Sequence, residues 1–375
     1  MAGASFPSLP LLCAGHTAEM FDSSLMLFIF VLFVVFILVL IVSIFDDGED
    51  HVYMKWSYIG ALALLTLMVG FRPIGIDNDS ATYLSYYESV DVGVVELVEP
   101  SFHLISAIAR LLDSPQFIFI IYALLAIPLK GYAISKLSSC WFLSLAVWMN
   151  NYFILHECTQ IRAAVVGAIF LYALYYLVEG RKKVYLGLVV ISIFFHYSAL
   201  ILIPLVFFGT RPINLWWRSA LFIAPLFCYG VYMMGIDPIT YIPVPFFQEK
   251  MEVYEMVRDK GIAEAINVFN LMALFRLGAY YFILWKCDEI YKECGHIYLM
   301  LKIMCISICF YAFFGYMPAM AIRSSELFGV VDILILPTIM YAVKPEMVVK
   351  LVLAVVCIGL FTMNIVVNEY LKFDI

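Results

Sequence analysis

The sequence predicts an all-α polytopic integral membrane protein. Of its 375 residues, 65% are hydrophobic and only 14% are charged, and the mean hydropathy is +0.98. Charged residues make up about a quarter of an ordinary soluble domain, so this composition excludes a folded soluble protein. The 31 Phe and 25 Tyr supply aromatic side chains of the kind that membrane proteins place at bilayer surfaces. The chain is therefore predicted to lie in a bilayer.

Individual apolar runs predict the crossing helices, each of which needs about 20 mostly apolar residues. The clear candidates are 26–45, 57–71, 116–135, 138–155, 162–178, 219–236, 268–286, 297–317, 326–343 and 347–367. A further run, 184–208, is longer than one crossing needs and is either one long helix or a hairpin of two short ones. We expect about 11 to 12 transmembrane helices in a single domain over 26–370, after a loose tail over 1–25.

The distribution of positive charge distinguishes a single helix from a hairpin at 184–208, because short cytoplasmic loops are enriched in Lys and Arg. The clearest inner group is Arg181–Lys183, and counting the spans outward places three further lysines inside: Lys55, Lys130 and Lys136. A hairpin at 184–208 places Arg211 and Arg218 inside as well, whereas a single helix would place them outside. The hairpin is therefore favoured, and both chain termini are predicted to lie outside.

Two outer loops, 72–114 and 237–267, are long for a polytopic protein, and long ordered loops are usually functional. The first contains an amphipathic segment, 100–112, which is too short to cross and should lie in the outer interface. The second contains a segment with helical spacing at 249–266. Inner loops are short and GxxxxGK[ST] is absent, so an ATP-driven pump is not predicted.

Composition also limits the partners and cofactors. A net charge of −7 with 22 Lys and Arg leaves no basic surface for nucleic acid. The nine cysteines lack CxxC or Cys/His metal spacing and are predicted to be packing residues. We predict no cofactor and no metal, although Asp77 and Asp79 could in principle bind a cation together.

Ionisable residues at the membrane edge are costly and suggest function. The segment FRPIGIDNDSATY places Arg72, Asp77 and Asp79 at the outer end of the second span, and Tyr83 follows. These residues form either a functional cluster or an ordinary polar cap. Glu99 precedes the segment 100–112 and is predicted to cap it.

Further candidates follow where the chain re-enters the membrane from outside. Gln160 and Arg162 begin a helix, where Arg162 either reaches the headgroups or clamps a pyrophosphate with its planar guanidinium. His196, beside Ser198, is either a hydrogen-bonded structural residue or a base that deprotonates a sugar hydroxyl.

The last two arginines lie in the C-terminal half. Arg276 lies about a third of the way into the span 268–286, too deep to be stable without a partner or an anionic ligand. Arg323 forms either a local pair with Glu326 or part of a site. With Arg72 and Arg162 they make four outward arginines in a chain poor in charge, which predicts a site for a polyanion.

The order of these motifs resembles that of the EpsG-like, Wzy-type polysaccharide polymerases. The segments are RPIGIDNDSATY, EPSFHLI, QIRAAVVGAIFLYAL followed by EGRKK, and FFHYSALILIPL, and together they span Phe71 to Leu205. The resemblance implies a C-type glycosyltransferase-like membrane enzyme of the bacterial inner membrane with its active site facing the periplasm. It also implies functional roles for the residues at matching positions: Arg72, Asp77, Tyr83, Glu99, Arg162 and His196.

The implied reaction joins undecaprenyl-pyrophosphate-linked oligosaccharide repeats into an O-antigen, capsule or exopolysaccharide, with a separate chain-length regulator as a possible partner. Arg162, Arg276 and Arg323 are the candidates for stabilising the departing pyrophosphate, and His196, followed by Asp79, is the candidate base. An O-antigen ligase or a lipid-linked oligosaccharide flippase or transporter remains an alternative. A transporter should show an internal repeat with interrupted helices, and neither is evident.

Overall fold

Regular secondary structure in the described part of this chain is helical. A computed structural model describes residues 12–46, 51–77, 79–89, 98–238 and 265–371, with side chains from Ser23 onward. Within these ranges the β-type pairing is a single bridge between Asp77 and Leu371. Most of the predicted outer loop 237–267, with its helical pattern at 249–266, lies outside the described residues.

The described helices are numbered here in chain order. They are α1 (Leu12–Phe45), α2 (Val52–Gly70), α3 (Ser80–Ser89), α4 (Pro100–Leu111), α5 (Gln116–Leu137), α6 (Trp141–Asn150), α7 (Ile161–Val178), α8 (Lys182–Ile193), α9 (Leu215–Met233), α10 (Leu271–Ile290), α11 (Ile297–Phe313), α12 (Pro318–Gly329), α13 (Asp332–Ile335), α14 (Ile339–Ala342) and α15 (Glu346–Val366). A π-helical turn covers Phe153–Glu157, and 3₁₀ segments cover Tyr197–Phe207 and Leu336–Thr338. Helix α1 begins inside the segment predicted to be a loose tail, and α4 coincides with the predicted amphipathic segment 100–112.

Within the described residues, five helical segments are long and apolar enough to cross a membrane. They are Ser23–Phe45, Val52–Gly70, Gln116–Leu137, Ile161–Val178 and Glu346–Val366. Many of their large apolar side chains point away from the protein core; Met26, Leu38, Leu67 and Val355 are each more than half exposed. Apolar helices with an outer face of this kind are characteristic of a membrane-embedded protein.

Two predicted spans are not continuous helices. The run 138–155 forms only the ten-residue α6 before the π-helical turn, and at the break the Asn364 side chain donates to Asn150 O and Asn151 Oδ1 at 2.8 and 3.1 Å. The run 326–343 breaks after Gly329, and a 3₁₀ turn containing Pro337 separates α13 from α14. Apolar composition could not reveal these breaks, because buried amide contacts and a proline without an N–H group create them.

Residues 184–208 form the predicted hairpin. Helix α8 ends at Ile193, the chain turns at Phe194–His196, and the 3₁₀ segment Tyr197–Phe207 returns along α8. The Tyr185 hydroxyl, near the start of α8, donates to Leu202 O at 2.6 Å. Seventeen residues of one continuous helix would separate these two positions by roughly 25 Å, so a single long helix is excluded.

The hairpin places Arg211 and Arg218 at the same end of the bundle as the later lysine-rich turns. Three contacts join the elements at this end, which we call the basic end: Arg218 with Asp288 at 2.8 Å, Lys302 Nζ with Gly209 O at 3.0 Å, and His296 Nε2 with Leu137 O at 3.0 Å. We call the opposite end the site end. It contains the Asp77–Leu371 bridge and the hairpin turn, and α4 contacts this turn because Ser101 N donates to Phe194 O at 3.2 Å.

Lys130 is not the cytoplasmic loop marker that the sequence predicts. Its side chain is fully buried within α5, forms an ion pair with Glu157 of the π-helical turn, and lies 5.1 Å from the Trp148 ring centroid. Trp148 Nε1 donates to the other Glu157 oxygen at 3.0 Å. Helix α5, which carries Lys130, packs between α2 and α7. The charge is therefore held inside the protein and carries no information on sidedness.

Candidate active site

A cavity of about 160 Å³ opens at the site end of the bundle, and we call it the His196 cavity. Four separate parts of the chain line it: the start of α3, the start of α7 with the π-helical turn before it, the hairpin turn, and α12. Six predicted site residues lie on its wall: Asp79, Tyr83, Gln160, Arg162, His196 and Arg323. They converge on one cavity, although they are separated by as many as 244 positions along the chain.

Arg72 and Asp77 lie behind this cavity and do not line it. Their side chains are almost completely buried and form an ion pair at 3.2 Å, while the Arg72 guanidinium lies 4.5 Å from the Phe119 ring centroid. Asp77 Oδ1 accepts the backbone N–H groups of Asp79 and Ser80 at 3.0 and 2.8 Å. Since both Asp77 oxygens already have partners, Asp77 and Asp79 do not offer two free carboxylates to one cation. We infer that this pair positions α3, and with it Asp79.

Tyr83 forms the side of the cavity next to Arg162. Its side chain is buried, and the Arg162 guanidinium lies 5.5 Å from the centre of its ring. Burial raises the pKa of Tyr83, so the hydroxyl keeps its proton and serves as a neutral hydrogen-bonding group. The aromatic face holds the cation in place within the wall.

The sequence predicts that Glu99 caps α4, but its side chain does not do so. It occupies the N-cap position, but its carboxylate makes no capping bond and is buried between two other site residues. One oxygen forms an ion pair with Arg162, and the other lies 3.4 Å from His196 Nδ1. Glu99 therefore links the start of α7 to the hairpin turn and offsets much of the charge of Arg162.

One ring nitrogen of His196 is hydrogen-bonded to Ser198 and also lies close to the Glu99 carboxylate. Nδ1 lies 3.4 Å from Glu99 and 3.3 Å from both the backbone N and the Oγ of Ser198. If Nδ1 carries the proton and donates it to Glu99, Nε2 is left with a free lone pair, as a base requires. If Nδ1 accepts from Ser198 N–H, the proton moves to Nε2. A buried carboxylate on the Nδ1 side favours the first tautomer.

Arg323 and Asp79 are charged residues of the cavity that form no ion pair within the described residues. Arg323 is exposed on α12 and forms no ion pair with any residue in the described part of the chain, so the local Arg323–Glu326 pair is not formed. Asp79 is half-buried, and burial, with the nearby Asp77 carboxylate, raises its pKa although Arg323 and Arg162 act in the opposite direction. Within the described residues, the site thus presents a guanidinium that forms no ion pair and, in Asp79, a carboxyl group that holds its proton more tightly than usual.

Replacing Asp79 by Asn should raise thermal stability near neutral pH. A raised folded-state pKa means that stability is lost as pH increases from the unfolded-state value, about 3.9, through the folded-state value. Asn cannot ionise and avoids this loss. Melting of the detergent-solubilised protein between pH 4 and 7 should show an advantage of Asp79→Asn that shrinks at the acid end. Equal melting temperatures throughout, as expected for the exposed control Glu88→Gln on α3, would contradict this.

Arg276 lies apart from the His196 cavity. Its Nε is 2.6 Å from Asp332 Oδ2, and its other nitrogens lie 2.8 Å from Ser307 Oγ and 3.4 Å from Ser325 Oγ. The predicted partner or anionic ligand of Arg276 is therefore an internal carboxylate. The prediction that Arg162 and Arg276 clamp one diphosphate is not supported, because the two guanidinium groups line different cavities.

Three residues in or directly behind these cavity walls carry no role in the sequence-based interpretation. Asp332 is the acidic residue in the apolar run VVDILILP, and that isolation is the signal that could have revealed it. His156 lines the His196 cavity, is 2% exposed, and has an Nδ1 without a hydrogen-bond partner. Glu326, considered only as a local partner of Arg323, lines the cavity too, and its Oε2 is buried without a partner.

Comparison with known protein families gives a match over most of the chain. The EpsG family profile matches residues 55–373, which covers α2 through α15 and every residue of the His196 cavity. The chain belongs to the EpsG family. No curated protein and no solved structure matches the chain. The family match extends well beyond Phe71–Leu205, where the motif resemblance lies, and includes the C-terminal half that contributes Arg323 and Glu326. EpsG membership supports a role of the polysaccharide polymerase type.

Proposed function

We propose that this protein polymerises oligosaccharide repeats linked to undecaprenyl pyrophosphate, at the periplasmic face of the bacterial inner membrane. The observation that carries the proposal is the His196 cavity, in which the exposed guanidinium of Arg323, the Glu99-linked His196 and Asp79 face one small space. EpsG membership and the apolar helices support a membrane-embedded polymerase. The proposal includes a C-type glycosyltransferase-like fold with about 11 to 12 crossings, and a chain-length regulator as a possible partner.

The proposed chemistry requires a cation for the leaving group and a base for the nucleophile. A hydroxyl oxygen of the acceptor sugar bonds to the anomeric carbon of the donor, and the bond from that carbon to the pyrophosphate oxygen breaks. Its electron pair stays on the pyrophosphate, where Arg323, with Arg162 beside it, stabilises the developing charge. His196 Nε2 accepts the hydroxyl proton, and Glu99 stabilises the resulting imidazolium.

Deletion of the protein tests the function. Cells that lack a polymerase should lose the ladder of long surface glycans, keep single-repeat glycans, and accumulate the single lipid-linked repeat. Cells that lack a ligase should instead retain the ladder on the lipid carrier, and cells that lack a flippase should hold single repeats on the cytoplasmic side. A normal glycan profile in the deletion strain would reject all three functions.

Complementation of that strain tests the role of Arg323. Arg323→Gln should lower the polymerisation rate by roughly a hundred- to a thousand-fold, because it removes the free cation from the leaving group. Arg323→Lys keeps the charge but cannot form bidentate hydrogen bonds to phosphate, so it should restore only part of the ladder. Arg110→Gln, on α4 and outside the lining of the His196 cavity, is the control. A full ladder with Arg323→Gln at matched protein level would remove Arg323 from the mechanism.

A further inference from the structure

A second cavity, of about 400 Å³, lies on the other side of α12, and we call it the Arg276 cavity. Successive residues of α12 face the two spaces: Ile322 lines the Arg276 cavity, and Arg323 lines the His196 cavity. Glu326 lines both. The helix is thus a partition between two adjacent cavities at the site end, and Glu326 is the side chain that they share.

The two cavities differ in the charge that they present to a ligand. Arg276 is paired with Asp332 at 2.6 Å, so the second cavity contains a neutralised ion pair and not a free cation. Turning Arg276 toward an anionic ligand would leave the buried Asp332 without its partner, which is strongly unfavourable. The Arg276 cavity is therefore unsuited to a diphosphate, whereas Arg323, on the other side of α12, is exposed and forms no ion pair in the described part of the chain.

The remaining lining fits an uncharged polyhydroxyl ligand. Amide and phenol groups come from Asn151, Asn270, Tyr311 and Tyr370. Asn270 is already hydrogen-bonded to Asn267, Ala273 and Tyr311, and Asn151 Oδ1 accepts from Asn364. The Asn151 amide N–H groups and the two phenols are therefore the groups that can meet a ligand. Apolar side chains, including that of Met363, complete the wall. A sugar ring presents hydroxyl groups at its edge and C–H groups on its faces, so it needs this combination of a few polar groups on an apolar surface.

Near Arg276, the wall of the cavity also depends on how closely the Tyr152 and Arg276 side chains approach α12. A Cβ atom at Gly329 would collide with the Tyr152 hydroxyl and lie 3.0 Å from an Arg276 nitrogen. Tyr152 in turn donates to Asp332 at 3.4 Å. Glycine at this position lets the ion pair and Tyr152 pack directly against the partition, so the polar floor of the cavity is built into the fold.

We propose that the Arg276 cavity binds the attacking sugar of the acceptor oligosaccharide, whose hydroxyl reaches the His196 cavity beside Glu326. This inference rests on the proposed function, because a polymerase must hold two oligosaccharides at once. The donor pyrophosphate then takes the cavity with the free cation, and the uncharged end of the acceptor takes the neutral one. Glu326 Oε2, buried without a hydrogen-bond partner, is available to accept from an acceptor hydroxyl at the shared wall.

The test uses the free oligosaccharide as a probe. The lipid-linked repeat that accumulates in the deletion strain is purified, and mild acid releases its oligosaccharide without the diphosphate. Binding of this oligosaccharide is measured on full-length protein in nanodiscs, with Met363→Trp and Ile322→Trp to fill the Arg276 cavity. Val366→Trp, on the same helix as Met363 but exposed and outside both linings, is the matched control.

We expect the oligosaccharide to bind wild type, Val366→Trp and Arg323→Gln with similar affinity, and each cavity-filling variant at least ten-fold more weakly. The intact lipid-linked repeat should still bind the cavity-filling variants through the His196 cavity, which also shows that they are folded. Unchanged oligosaccharide binding in both filling variants, weaker binding in Arg323→Gln, or no binding to wild type at millimolar concentration would overturn the inference. Failure of the deletion strain to accumulate the lipid-linked repeat would instead reject the proposed function.

Discussion

Replacing His196 by Gln is expected to lower the rate of glycan polymerisation by roughly a hundred- to ten-thousand-fold, the usual cost of losing a general base. Glutamine preserves much of the size and hydrogen-bonding capacity of histidine but cannot accept a proton near neutral pH. The carboxylate of Glu99, 3.4 Å from Nδ1, orients the ring, so Glu99→Gln should also lower the rate. Polymerisation of purified lipid-linked repeats measures both effects.

The pH profile separates a base from a structural histidine. For the wild type, the rate should rise with pH where histidine loses its proton, and this rise should be absent from the residual activity of His196→Gln. The same substitution at His103, which is exposed on α4 and lies outside the lining of the His196 cavity, is the matched control. A correctly inserted His196→Gln protein that polymerises at the wild-type rate would remove His196 from catalysis, and Asp79 would become the next candidate base.

Replacing Lys130 by Met is expected to lower the free energy of unfolding by about 3–5 kcal/mol. Both side chains of the Lys130–Glu157 pair are fully buried, so the substitution leaves an uncompensated carboxylate in the protein interior. Adding Glu157→Gln removes that charge and keeps an acceptor for the Trp148 N–H group. The double variant should therefore recover most of the lost stability in equilibrium denaturation in mixed micelles.

Lys136→Met is the control for this pair, because Lys136 lies on the same helix but is exposed. Its effect should stay within about 0.5 kcal/mol, as for most surface substitutions. If Lys130→Met alone were as stable as the wild type, the buried ion pair could not be the element that joins α5 to the π-helical turn. If the double variant were no more stable than the single one, the loss would come from packing and not from charge.

Several features of the fold and site follow from residues that are close together in the sequence. The apolar runs predict α2, α5, α7 and α15 because a crossing helix must satisfy its backbone hydrogen bonds within one segment. The positions of Arg211 and Arg218 predict the hairpin at 184–208, which the Tyr185–Leu202 hydrogen bond confirms. The polar side chains at the outer ends of these segments, such as Arg162 and His196, predict where a site should form.

The partners of the charged residues could not be predicted in this way. Glu99 looks like a helix cap because it precedes Pro100, yet its carboxylate contacts Arg162 and His196, which lie 63 and 97 positions later in the chain. From the sequence, Lys130 looks like a marker of a cytoplasmic loop. The ion pair with Glu157 that keeps it buried is visible only in the structure. These pairs form through tertiary packing, which hydrophobicity and local spacing do not encode.

By itself, the sequence determined that the chain is a helical membrane protein, and its motif order indicated the family that the EpsG match confirms. Only the tertiary structure decided how the arginines divide: Arg276 is neutralised by Asp332, Arg162 is offset by Glu99, and Arg323 is left without an ion partner in the described chain. The physical reason is that a charge within a low-dielectric interior needs a counter-charge within a few ångströms. Such a neighbour is supplied by the packing of helices distant in sequence.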